Sequence, residues 1–143
     1  MYRLAQINVA RMRAPLTDPS MKTFVDLIAP INALAEASPG FIWRLRDENA
    51  TLAGDPLILV NLSVWESVEA LMDFTYRSGH IAPFRTRSMW FEPYGGAHLA
   101  LWWIPAGATP SIDDGAAKLA LRDRDGDTPD SFSFANIFPP PAA

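Results

Sequence analysis

From Leu57 to Trp65 the chain alternates as a β-strand does. Ile58, Val60, Leu62 and Val64 fall on one side, and Leu57, Leu59, Asn61, Ser63 and Trp65 on the other, since successive strand residues point to opposite faces. One face is purely aliphatic. The other mixes apolar side chains with an amide and a hydroxyl, groups that need a partner if they are buried. Such a strand is stable only inside a sheet covered on its aliphatic side.

The remaining elements arrange themselves around it. Leu4 to Val9 alternates too, with Ala5, Ile7 and Val9 opposite Leu4, Gln6 and Asn8, and Phe41 to Leu45 and Leu99 to Ile104 read as further strands. Asp18 before Pro19 marks a helix start. Met21, Phe24, Val25, Ile28, Ile31 and Ala35 then recur at helical spacing until Ser38-Pro39-Gly40, with Pro30 expected to kink or interrupt the helix. Asp47 to Pro56 is a polar loop. Ser67 is placed to cap a second helix carrying Val68, Leu71, Met72, Thr75 and Tyr76. Ser78-Gly79 is expected to break that helix, and His80 to Phe91 to form another helical piece ended by Glu92-Pro93 and Gly95-Gly96.

The order strand, helix, strand, strand, helix, strand is ferredoxin-like, an α+β fold with an antiparallel sheet and its helices on one face. Residues 1–105 are expected to make this unit. Residues 106–143 form a C-terminal extension packed on the same domain, with a helix over Asp113 to Arg124 and an edge segment near Ser131 to Phe138. The sheet face away from the helices is expected to hold Leu57, Leu59, Trp65, Leu99, Leu101 and Trp103, too apolar to stay wet. Two sheets packed face to face would bury it, which predicts a homodimer closed into an α+β barrel. Gln6, Asn8, Asn61 and Ser63 would then line a pocket for a small apolar or aromatic molecule.

Composition excludes several functions. The 143 residues suit one domain, and a net charge of −4 from 16 acidic and 12 basic residues offers no footprint for nucleic acid. There is no cysteine, so thiol catalysis and thiolate metal sites are ruled out, and two distant histidines make a protein-only metal site an unfavoured reading. The first residues lack a signal-peptide pattern and no apolar run is long enough to span a bilayer, which points to a cytoplasmic protein without a membrane partner. No phosphate loop, dinucleotide fingerprint, nucleophile elbow or zincin motif occurs.

Leu4-Ala5-Gln6-Ile7-Asn8-Val9-Ala10-Arg11, Ser38-Pro39-Gly40-Phe41-Ile42-Trp43-Arg44 and Asn61-Leu62-Ser63-Val64-Trp65-Glu66-Ser67, followed by Tyr76-Arg77-Ser78-Gly79-His80 and Trp90-Phe91, carry a resemblance. Together they resemble a bacterial domain-of-unknown-function family within the dimeric α+β barrel superfamily, which includes the antibiotic biosynthesis monooxygenases. The resemblance spans nearly the whole chain and implies a cavity lined by a strand Asn, a Trp and a His. Here those map onto Asn61 or Asn8, Trp65 or Trp43, and His80. It implies a cofactor-independent monooxygenase or cyclase acting on an aromatic or polyketide-like substrate. The alternatives are a non-catalytic binding dimer and a haem-binding protein that uses His80.

On this basis His80 and Asn61 are the catalytic candidates. His80 follows the Ser-Gly step, where an imidazole can take a proton; its bland reading is a helix cap or surface histidine, and His98 is read as a loop residue. Arg85 and Arg87 can clamp a carboxylate or phenolate in a fork, or simply face solvent. Asn8, Ser63, Trp43, Trp65, Tyr76, Trp90 and Trp103 complete the expected binding set. Adjacent Trp102 and Trp103 must face opposite ways, so at most one of them enters the cavity.

Overall fold

The computed structural model describes residues 1–46, 51–52, 54–81 and 84–142, with no side chain described at 51 or 84–86. Chain order gives β1 (Tyr2–Met12), α1 (Lys22–Ala37), β2 (Phe41–Arg44), β3 (Thr51–Leu52), β4 (Asp55–Trp65), α2 (Val68–Ile81), β5 (Phe91–Glu92), β6 (Leu99–Pro105) and α3 (Ile112–Asp125). No helix among the described residues is long and apolar enough to cross a membrane.

The strands form one antiparallel sheet ordered β6-β1-β4-β2, with β5 continuing the β6 side along the end of β1 and β3 continuing the β2 side along β4. This is the ferredoxin-like order expected from the sequence, and the fold is α+β of the kind that builds α+β barrels. Register places Leu4 opposite Trp65, Gln6 opposite Ser63 and Asn8 opposite Asn61.

Local chemistry explains the helix ends. Asp18 accepts the Ser20 amide at 2.9 Å, and a 3-10 turn at Pro19–Met21 leads into α1. The helix is not interrupted at Pro30, whose residue is exposed. Gly40 has φ +85°, and a Cβ on it would lie 2.6 Å from Ala70 Cβ, so glycine is what lets the start of β2 press against α2. Ser67 caps α2 as expected, accepting the Ala70 amide at 3.1 Å.

Two expectations about the second helix are corrected. It runs through Ser78-Gly79 without a break as far as Ile81, because Val68, Leu71 and Phe74 hold it on the sheet and one interior glycine costs only about 1 kcal/mol. The second helical piece is a 3-10 segment at Phe84–Met89, and Phe91 already belongs to β5.

A third correction concerns the faces. Leu59, Trp65, Leu99, Leu101 and Trp103, expected on the open face, lie under the helices. Leu4, Trp65 and Leu101 pack with Ala35 of α1, with Val68 and Leu71 of α2, and with Phe132. Further along the same face, Met12 and Leu59 pack with Met21, Phe24, Leu27 and Trp90. The aliphatic face, with Ala5, Ile7, Val9, Ile58, Leu62, Val64, Ala100, Trp102 and Ile104, closes instead against Leu119 of α3. Ile7 and Ala100 are wholly buried there. The helices α1 and α2 therefore share one face, as expected, and the chain's own α3 covers the other.

A reciprocal Ser111–Asp114 capping box opens α3. Gly115 on its inner face leaves no room for a side chain, since a Cβ would sit 2.5 Å from Ile7 Cδ1. Beyond α3 the chain turns back and Phe132 exchanges both backbone hydrogen bonds with Leu101, at 2.8 and 2.9 Å, on the outer side of β6. Asp127 fastens this return. It accepts from Arg122 Nε, Ser133 Oγ and Asn136 Nδ2, each at 2.8 Å, while Arg122 also reaches the Leu99 carbonyl.

Candidate active site

Midway along the helix-facing side, between the two apolar clusters, the sheet carries four polar side chains joined to one another. Gln6 Nε2 donates to Asn61 Oδ1 at 2.7 Å and to Ser63 Oγ at 2.8 Å. Asn8 Nδ2 donates to Gln6 Oε1 at 3.0 Å and lies 3.5 Å from Asn61 Oδ1. The Trp65 indole N–H donates to Ser63 Oγ at 2.8 Å. The contacts follow from register: Gln6 and Asn8 on β1 stand opposite Ser63 and Asn61 on β4, and the diagonal Gln6–Asn61 pair is within reach of a long side chain.

Burial is graded across this ladder. Trp65, Ser63 and Gln6 are buried, Asn8 is half-buried, and Asn61 is exposed. Solvent therefore reaches the helix-facing side of the sheet at Asn61. Only Ala35 of α1 is buried, while Phe24, Leu27, Ile28 and Ile31 keep part of their surface exposed. The closed end is packed by aromatic rings, with Trp65 stacked on Phe74 at 5.2 Å and meeting Phe41 edge-on at 5.4 Å. Gln6 uses both of its amide groups inside the ladder, so Asn61 Nδ2 and Asn8 Oδ1, which make no hydrogen bond among the described residues, are the groups left to a ligand.

The members of the ladder are all uncharged. It can orient a substrate and stabilise negative charge developing on an oxygen through fixed amide dipoles, but it brings no general base of its own. Among the described residues no group of three His, Asp or Glu side chains is placed to hold a metal.

The sequence candidates divide between this site and others. Asn8, Asn61, Ser63 and Trp65 come together. His80 does not join them: it is exposed on the outer side of α2, its ring edge-on to Tyr76 at 5.2 Å. Tyr76 is 72% exposed and lines a shallow, largely apolar groove with Met72, Thr75 and Phe134. Trp43 packs on the opposite face of the sheet, in the cluster closed by α3. Trp90 is a core residue beside Phe24 and Phe91, its indole N–H reaching Thr23 Oγ1 at 3.3 Å. Trp103 donates to the Phe138 carbonyl at 2.9 Å and holds the C-terminal segment. The side chain of Arg85 lies outside the described residues. Arg87 sits in the 3-10 segment three residues before Trp90, and desolvation lowers its pKa from the ordinary arginine value.

Gln6 is the residue whose importance sequence reasoning missed. The alternation of β1 places it among the polar groups of the expected pocket, but its position at the centre of the ladder depends on the β1–β4 register, which appears only once the strands are paired.

A family model described as a domain of unknown function, DUF3291, matches residues 3–143. No curated protein matches the sequence. Among solved structures, SnoaB, a cofactor-independent oxygenase from Streptomyces nogalater, is 14% identical with a TM-score of 0.50, the match covering 76% of this chain and 97% of that one. PA3566 from Pseudomonas aeruginosa matches equally, at 14% identity and a TM-score of 0.50, over 76% of this chain and 97% of that chain. At such identity the likeness is one of fold.

Proposed function

The chain belongs to the DUF3291 family, and from that premise we propose that it is a monooxygenase-like enzyme that binds an aromatic or polyketide-like substrate against the amide ladder and needs no cofactor. The observation that carries this reading is the exposed Asn61 amide, fixed from behind by buried Gln6. A substrate that forms a carbanion and reacts with oxygen develops negative charge on its phenolic or ketonic oxygen. A hydrogen-bond donor already held in place stabilises that charge without reorganising. The fold shared with a cofactor-independent oxygenase agrees with this chemistry.

The direct test is oxygen consumption with an anthrone. Its methylene is oxidised to a carbonyl by one O2, giving an anthraquinone and one water. Protein-dependent uptake with that stoichiometry, lost in Asn61→Ala, supports the reading; uptake no faster than in buffer removes it.

A second reading is a non-catalytic binding protein, favoured by the absence of any ionisable group from the ladder. It predicts saturable binding of the same aromatics without oxygen uptake. Association into a homodimer goes with either reading and is proposed from the barrel-type fold. The sheet-to-sheet contact would require α3 to leave the aliphatic face, so sedimentation of the intact chain is the measurement that decides it.

A further inference from the structure

The ladder limits what kind of ligand edge can bind, and this inference rests on the substrate-site reading above. Each carboxamide has a donor end and an acceptor end. With Gln6 Nε2 turned to Asn61 Oδ1 and Gln6 Oε1 turned to Asn8 Nδ2, the groups facing away from Gln6 are the Asn61 NH2 and the Asn8 carbonyl. The same ladder is satisfied if all three amides turn over. Ser63 then donates its hydroxyl hydrogen to the Gln6 carbonyl while still accepting from Trp65, and the outward groups become the Asn61 carbonyl and the Asn8 NH2. In both polarities the site offers one donor and one acceptor side by side. Gln6 has one donor end and one acceptor end to distribute between its two neighbours, and so enforces this.

We propose that the site recognises a planar aromatic ligand whose edge carries one hydrogen-bond acceptor beside one donor, as in a lactam or a keto–enol pair, and that Gln6 is the positioning residue that sets this preference. Edges with two donors or two acceptors leave one of the asparagines facing a like group, and an unpaired polar group at a partly buried site is costly.

Two bicyclic probes of similar size separate the cases. 2-Quinolone presents a C=O beside an N–H, and 2,3-diaminonaphthalene presents two N–H donors whose nitrogen lone pairs are delocalised into the ring and accept poorly. Binding is read by quenching of tryptophan fluorescence and by calorimetry on the intact chain. Wild type is expected to bind 2-quinolone at least about fivefold more tightly, the discrimination expected when one hydrogen-bonding group loses its partner.

Gln6→Glu places an acceptor-only carboxylate at the centre. Ser63, Asn8 and Asn61 can then all donate inward, turning both asparagine carbonyls outward and shifting preference to the diamine. Asn61→Asp makes the same change at an exposed position and leaves buried Gln6 intact, so it serves if Gln6→Glu does not fold. A reversal of the selectivity ratio in either variant supports the proposal. Equal wild-type affinities, or both affinities falling together in Asn61→Asp, overturn it while leaving the substrate site standing. No binding of either probe to wild type removes the site and this inference with it.

Discussion

The indole N–H of Trp65 and the hydroxyl of Ser63 meet at 2.8 Å, two residues apart on the same strand and both buried. Ser63→Ala leaves that N–H without a partner in a closed aromatic cluster and also strips Gln6 of an acceptor. An expected loss of about 1–3 kcal/mol follows from burying unsatisfied donors, measurable by urea denaturation. A loss below about 0.5 kcal/mol, the range of ordinary surface changes, contradicts a structural role for this pair.

Asn61 and His80 should separate in activity. Asn61→Ala removes the exposed amide beside Gln6 and is expected to lower anthrone oxidation by about 100-fold, the effect typical of losing one preorganised oxyanion donor. His80→Ala, on the outer side of α2, is expected to leave the rate within about twofold, as for surface residues away from a site. Circular dichroism of both variants should match wild type. A large loss in the histidine variant alone moves the chemistry to α2.

Packing of α3 on the sheet depends on Gly115. Alanine there gains up to about 1 kcal/mol of helix propensity but drives a methyl against wholly buried Ile7, 2.5 Å from its Cδ1 and 3.2 Å from its Cβ. Overpacking of this kind costs about 1–3 kcal/mol, so Gly115→Ala should destabilise on balance. The same change in an Ile7→Val background should cost less. A double-mutant cycle with no coupling would show that the two residues do not touch in solution.

The Asp127 clasp makes stability depend on pH. Desolvation alone raises its pKa, but the hydrogen bonds from Asn136, Ser133 and Arg122, together with the charge of Arg122, outweigh it and hold the carboxyl below its ordinary value of 3.8. The folded pKa is thus the lower one. The stabilisation is fully present above the ordinary carboxylate range and is lost as pH falls through the folded value. Asp127→Asn should destabilise by about 1–3 kcal/mol at pH 7, the worth of hydrogen bonds to a charged group. Its difference from wild type should shrink steadily below pH 4; a difference independent of pH would mean that the charge is not what matters.

The ferredoxin-like order could be read from residues alone because its signals are local. Alternation over Leu57 to Trp65 and over Leu4 to Val9, and the Asp18-Pro19 and Ser67 starts, need no tertiary information. The assignment of faces was not legible for the opposite reason. Alternation says that Asn61, Ser63 and Trp65 share a side, but which side takes helices depends on where α1, α2 and α3 dock. Leu119, midway along a stretch with only modest periodicity, decides that for the aliphatic face. Four ladder residues were recognisable as polar interruptions of apolar strands, whereas the separation of His80 from them depends on the helix continuing through Gly79.

The backbone exchange between Leu101 and Phe132 also bears on aggregation. A border strand with free amides and carbonyls is a template on which another chain can add. Here the returning C-terminal segment occupies that position on β6, and at the opposite border β2 is four residues long with a shift in register, a poor surface for growth. A chain clipped before Phe132 would bare the β6 edge beside apolar Leu101 and Trp103, and self-association of the clipped form is the hazard that the returning tail guards against.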